Sequence, residues 1–144
     1  MKISEVMHSP AVTCPIWATL GQVARLMRDR NVGSVLLTDR VGYLAGIVTD
    51  RDLAIRGLGE GRSTDVTVDH VMTRDLATVS VHADLTDAAS IMSKRRVRRL
   101  PVVDEHDHPH GMVTLDDLMR QLGTEADALA DTIITQTSGI ARTT

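Results

Sequence analysis

Hydrophobic positions along the chain fall into two series of the same form. Leu20, Val23, Ala24 and Met27 follow the i, i+3, i+4, i+7 spacing of a helix that buries one face, and Leu85, Ala88, Ala89 and Met92 repeat it. Each predicted helix leads to a short apolar run, Ser34 to Thr38 and Arg99 to Val103. A polar turn follows, then a second run, Tyr43 to Thr49 and His110 to Thr114. Runs of this length divided by a turn predict two strands joined as a hairpin. A second helix is expected at Asp50 to Gly57 and at Leu115 to Gly123, and a brief extended segment near Val12-Thr13 and Ala77 to Val79 precedes the first helix. The unit reads β-α-β-β-α, an α/β (α+β) arrangement that occurs twice.

The second series is the first displaced by 65 positions, as Met7 to Met72 shows. VMHSPAVT at Val6 to Thr13 meets VMTRDLAT at Val71 to Thr78, Asp39 falls on Asp104, and Gly46 to Leu53 falls on Gly111 to Leu118 without a gap. A fixed period of this kind marks one supersecondary unit that buries its apolar face against a neighbour. A unit of roughly 60 residues has little interior of its own. The two copies are therefore expected to pack on each other across a pseudo-twofold axis. Gly57 to Thr64, rich in glycine and polar residues, reads as the linker, and a helical start at Val68 to Met72 opens the second copy. The expected boundaries are 1–62 and 63–123 for the repeats. Residues 124–144 would add a C-terminal helix over Thr124 to Ile134 and a frayed tail.

Composition narrows the function classes. A hydrophobic share of 42% and a charged share of 24% in 144 residues are those of one folded body, with no room for a separate catalytic domain. No apolar run approaches the roughly 20 residues of a membrane span, and MKISEVMHSP lacks signal-peptide character, so a cytoplasmic protein without membrane attachment is expected. The single cysteine, Cys14, rules out an intrachain disulfide and a multi-cysteine zinc site, and is expected in a core or strand. The run Lys94-Arg95-Arg96-Val97-Arg98-Arg99 has the charge of a phosphate-binding patch, yet Lys94, Arg95 and Arg96 also complement the last turn of a helix. With a net charge of -3, one Trp, one Tyr and no Phe, no nucleic-acid partner is expected.

The most informative motif is T-x-x-D, at Thr49 to Asp52 and Thr114 to Asp117, each between a predicted strand and a helix. A threonine at the helix N-cap and an acid three residues on form a capping box. The same place offers free N–H groups to an anion and a carboxylate to a ribose diol. The two roles are compatible.

G-h-V-T-x-x-D-L closing each copy, with V-R-R-L-P-V-V-D at Val97 to Asp104, resembles the CBS domain family over roughly residues 4 to 122. In that family two units pair as a Bateman module, with clefts that hold AMP, ADP, ATP, S-adenosylmethionine or similar adenosyl ligands. The resemblance implies one cleft in which Thr49 and Asp52 face Thr78, Arg98 and Arg99, with Asp52 on the ribose and an arginine on the phosphates. The other would join Thr114 and Asp117 to Thr13, Gly33 and Ser34. Gly33 and Ser34 stand where the second copy has its arginine pair, so this cleft is expected to hold polyphosphate less well. Leu36 and Thr38, opposite Pro101 and Val103, also depart from the pattern in copy one. The resemblance further implies a homodimer, and any regulated effector would be a separate chain.

His106, Asp107, His108 and His110 have the chemistry of metal ligands, but they fall in a predicted hairpin turn, and no metal is expected there. No G-x-S-x-G, H-E-x-x-H or Walker loop occurs, so no enzyme and no required cofactor are expected. Two classes remain: a sensor of an adenosyl ligand, or a ligand-free scaffold in which T-x-x-D only caps helices.

Overall fold

The computed structural model describes residues 1–123, and the helix and tail expected over 124–144 lie outside the described residues. The first repeat forms β1 (Thr13–Pro15), α1 (Leu20–Arg30), β2 (Ser34–Thr38) and β3 (Leu44–Thr49). Its second helix, α2, starts as an α-turn at Asp50–Asp52 and continues as a π turn, Leu53–Gly57, and a 3₁₀ turn, Leu58–Glu60. The second repeat forms β4 (Val79–Ser80), α3 (Leu85–Arg95), β5 (Arg99–Val103), β6 (Pro109–Thr114) and a helix α4 over 115–123. The order β-α-β-β-α is the one read from the hydrophobic pattern.

Local chemistry sets the helix ends. Thr19 caps α1 through a reciprocal box with Gln22, at 2.9 and 3.2 Å, and Asn31 closes the helix at φ 53. Asp87 accepts the Asp84 N–H at the start of α3, and Arg96 closes that helix at φ 54. The α1 stripe Leu20, Val23 and Met27 packs on Val35, Leu37 and Val48. In the second repeat Leu85, Ala88 and Met92 pack on Leu100, Val102 and Val113.

Each repeat holds a three-stranded sheet, in the orders β1-β2-β3 and β4-β5-β6. The first pair is parallel and the second antiparallel in both, with Ser34 opposite Thr49 and Arg99 opposite Thr114. Cys14 sits in β1 against the first core, where burial pushes its thiol up to about 11, so the protonated form prevails at neutral pH.

The leading segments of the repeats are exchanged. Ile3 is buried in the second core, and Val68, Val71 and Met72 are buried in the first. The Leu20 N–H, orphaned at the start of α1, donates to Val66 O, and the Leu85 N–H donates to Met1 O. His8 bridges to Met112 in β6, and Thr73 bridges to Ile47 in β3, so the β3 and β6 edges are each met by the leader of the other repeat.

Candidate functional site

β3 and β6 each run into a helix through T-x-x-D, and both capping boxes form. Asp52 Oδ2 accepts the Thr49 N–H at 2.9 Å while Thr49 Oγ1 accepts the Asp52 N–H at 3.1 Å. Asp117 Oδ2 and Thr114 Oγ1 make the same pair at 2.9 and 3.2 Å. The box uses one carboxylate oxygen of each aspartate. The other, Oδ1, is what distinguishes the two copies.

Around Asp52 lies a cleft of about 730 Å³ walled by both repeats. The β3–α2 junction supplies Thr49, Asp50, Arg51 and Asp52, and the segment before β4 supplies Thr73, Asp75 and Ala77. Arg95, Arg98 and Arg99 come from the end of α3 and the start of β5, over apolar Ile47, Val97 and Pro101. Arg99 stands exposed at the first position of β5, and its neighbour Leu100 is buried in the second core. Four guanidinium groups and three carboxylates line the space. Arg95 Nη2 lies 3.2 Å from Asp75 Oδ1, and Arg98 Nη2 lies 4.0 Å from Asp116 Oδ1. Asp52 Oδ1 has Arg56 Nη1 at 3.7 Å. An anionic ligand with a diol therefore finds both a carboxylate acceptor and unsaturated guanidinium donors in one cleft.

Of the residues expected here, the structure brings together Thr49, Asp52, Arg98 and Arg99; Thr78 is not among the lining residues, and its neighbour Ala77 is. The opposite side is less open. Gly33 and Ser34 line a cavity of about 210 Å³ with His8, Val12, Val32 and Met112, without Thr13, Thr114 or Asp117. Asp117 faces a separate depression beside Glu5 and Arg120. His8 Nε2 lies 2.9 Å from Asp117 Oδ1, and the Asp117 side chain is 5% exposed against 19% for Asp52. Burial pushes the Asp117 carboxyl up, but the Thr114 N–H, His8 and the remaining Thr114 contact together outweigh it and hold the group below its ordinary value. The ionised carboxylate only accepts, so the His8 ring nitrogen is the donor.

Sequence reasoning passed over His8, Arg95 and Asp75. The signal for His8 was an imidazole at the position where the other copy has Thr73. Arg95 read as a solvated cation in the last turn of a helix; it does end α3, and it also faces the cleft.

The histidine turn is organised by an acid. Asp104 Oδ1 accepts the N–H groups of His106 and His108, and Asp104 Oδ2 lies 2.9 Å from His110 Nε2. Asp39 holds the matching turn of the first repeat through the N–H groups of Val41, Gly42 and Tyr43. Among the described residues no cluster of three or more His, Cys, Asp or Glu converges as metal ligands, and no helix is long and apolar enough to cross a membrane.

The family model of the CBS domain matches residues 3–58 and 68–124. The chain is 33% identical over 133 residues to the CBS domain-containing protein YhcV of Bacillus subtilis, covering 92% of this chain and 94% of YhcV. Its fold matches the crystal structure of the CBS domain pair of protein MJ0100 in complex with 5'-methylthioadenosine and S-adenosyl-L-methionine. The TM-score is 0.76 at 26% identity, covering 87% of this chain and 98% of that one. The CBS domain protein PAE2072 from Pyrobaculum aerophilum, complexed with AMP, shares the fold at a TM-score of 0.74 and 23% identity, covering 86% and 99%. Two matched repeats, placed on two sheets of one topology, make the chain a member of the CBS domain family.

Proposed function

We propose that this protein is a non-catalytic sensor module that binds an adenosyl ligand between its repeats, with the Asp52 cleft as the principal site. The observation that carries the reading is the cleft of about 730 Å³ in which Asp52 of one repeat faces Arg98 and Arg99 of the other. Its volume falls within the range of small-molecule clefts, on the order of 300–1,000 Å³. Asp52 Oδ1 accepts the ribose hydroxyls, since Oδ2 is committed to the capping box, and Arg98 and Arg99 take the phosphates. The 5'-methylthioadenosine and S-adenosyl-L-methionine in the MJ0100 domain pair support the adenosyl class. A ligand that touches both repeats favours one relative arrangement of them, which a separate effector chain reads. The cytoplasm, where such ligands are made, is the proposed location. The chain works as a homodimer, a reading supported by Ile55 and Leu58 on α2 and Met119 and Leu122 on α4, which stay exposed in one copy.

Isothermal titration calorimetry against AMP, ADP, ATP, S-adenosylmethionine and NADH tests this. Saturable binding is expected, weakened roughly tenfold to a hundredfold in Asp52→Ala by loss of a charge-assisted hydrogen bond. Asp117→Ala loses the same kind of cap and serves as the control that keeps binding. Sedimentation of the same samples should give the mass of two chains, and a single-chain mass would remove the dimer. No binding of any of the five by folded protein would leave the scaffold reading in its place.

A further inference from the structure

The second helix of the first repeat departs from its counterpart. Residues 115–123 form one regular α-helix, whereas α2 passes from an α-turn into the π turn Leu53–Gly57 and then the 3₁₀ turn Leu58–Glu60. Widened turns of this kind collect at functional sites. The first repeat also carries small residues where the second has larger ones: Gly21 stands for Thr86 and Ala54 for Met119. Leu118 is sealed in its core, while its counterpart Leu53 is only partly buried. The result is a groove of about 260 Å³ between α1 and α2, with an apolar floor of Leu20, Ala24, Leu53, Ala54 and Leu58.

Three polar side chains stand on its wall, Asp50, Arg62 and Thr64. The linker brings Arg62 there, because its backbone N–H donates to Gly57 O at the end of α2. Arg62 Nε is buried without a hydrogen-bond partner, and among the described residues no other buried side-chain nitrogen or oxygen is left so. Arg62 Nη2 has Glu60 Oε2 at 3.4 Å, a partly exposed contact of little worth. A guanidinium N–H withdrawn from water with nothing to donate to is costly, and it points to an acceptor that comes from outside the chain. Asp50 Oδ1 accepts the Arg51 N–H at 2.8 Å, which leaves Oδ2 for a ligand donor. Arg25 Nη1 reaches the rim, 3.5 Å from where a Cβ on Gly21 would stand. Two guanidinium groups and two carboxylates thus surround the groove, and their charges balance.

We infer that this groove binds an aliphatic α-amino acid as its zwitterion, with the carboxylate on Arg62, the ammonium on Asp50 and the side chain on the apolar floor. A ligand without net charge suits a wall without net charge, whereas a simple carboxylic acid would meet Asp50 unpaired and a simple amine would leave Arg62 unpartnered. The volume lies just under the range of drug-sized clefts, on the order of 300–1,000 Å³, as a ligand of about ten heavy atoms requires. The groove shares Asp50 with the Asp52 cleft but contains none of Asp52, Arg98 and Arg99, so the inference does not rest on the adenosyl reading.

Calorimetry of the full chain with L-leucine, isocaproate and isoamylamine tests it, since the two analogues lack the ammonium and the carboxylate in turn. Leucine should bind saturably and at least about tenfold more tightly than either analogue, the worth of one hydrogen bond to a charged group. Arg62→Gln should weaken leucine by a similar factor. Ala54→Met installs the residue of the matched position at an exposed helix site and should abolish binding by filling the groove. Isocaproate or isoamylamine binding as tightly as leucine would overturn the inference, as would leucine binding left intact in either variant. Folded wild type that takes up no leucine would also overturn it, the result expected if a second copy seated over Leu58 fills the groove instead.

Discussion

A single aspartate organises each hairpin turn, and the one at Asp104 makes an acid-sensitive contact. The His108 N–H, His110 and the His106 N–H hold its carboxyl well below the usual carboxylate range. A carboxyl whose pKa is depressed by folding contributes stability that is complete above its unfolded value, 3.8, and is lost as pH falls through the lower folded value. Asp117 is shifted in the same direction. The melting temperature should therefore fall below about pH 4, and Asp104→Asn should flatten that fall while lowering stability at neutral pH. Melting curves between about pH 5 and pH 2.5 check this. An unchanged acid slope in Asp104→Asn would show that the turn does not couple to folding.

Among the elements, β3 and β6 are crossed by the exchanged leaders at a glycine. A Cβ on Gly46 would stand 2.7 Å from Met72 Sδ and 3.0 Å from Thr73 O; on Gly111 it would stand 2.6 Å from His8 O and 3.0 Å from Met7 Sδ. A methionine sulfur moves easily and a carbonyl in a two-way bridge does not. Gly111→Ala is expected to cost about 1–3 kcal/mol, and Gly46→Ala less. Urea unfolding measures both, and a Gly111→Ala protein as stable as wild type would mean that the leader does not lie against β6 in solution. The glycine of G-h-V-T was legible in the sequence as part of a motif, but its cause, the crossing chain, was not. The 65-residue register fixed the element order because helix and strand periods are local properties. It could not say which core receives Val68 and Val71, since an apolar stripe fits either one. For the same reason Thr49 and Asp52 were found from a strand-to-helix junction, while the His8–Asp117 contact spans 109 positions and left no local mark.

Exchange of leaders makes the two repeats one mechanical body. Ile3 completes the second core and Val68 the first, and both are fully buried. If the halves depend on each other in this way, damage to one core should be felt in the other. Ile3→Ala is expected to cost about 2–5 kcal/mol by loss of transfer energy and a cavity in the second core. Trp17, the sole tryptophan, lies in the first repeat between β1 and α1, so its fluorescence follows the opposite half of the molecule. Denaturant curves of Ile3→Ala followed by Trp17 fluorescence and by far-ultraviolet circular dichroism should shift together and coincide, as for a single cooperative unit. A fluorescence transition that stayed in place while the dichroism curve split in two would mean that each repeat unfolds alone. The distinction bears on the proposed sensing role: a ligand bound as proposed at Asp52 would touch both repeats, and repeats that share their cores would pass its preference for one arrangement from one half to the other.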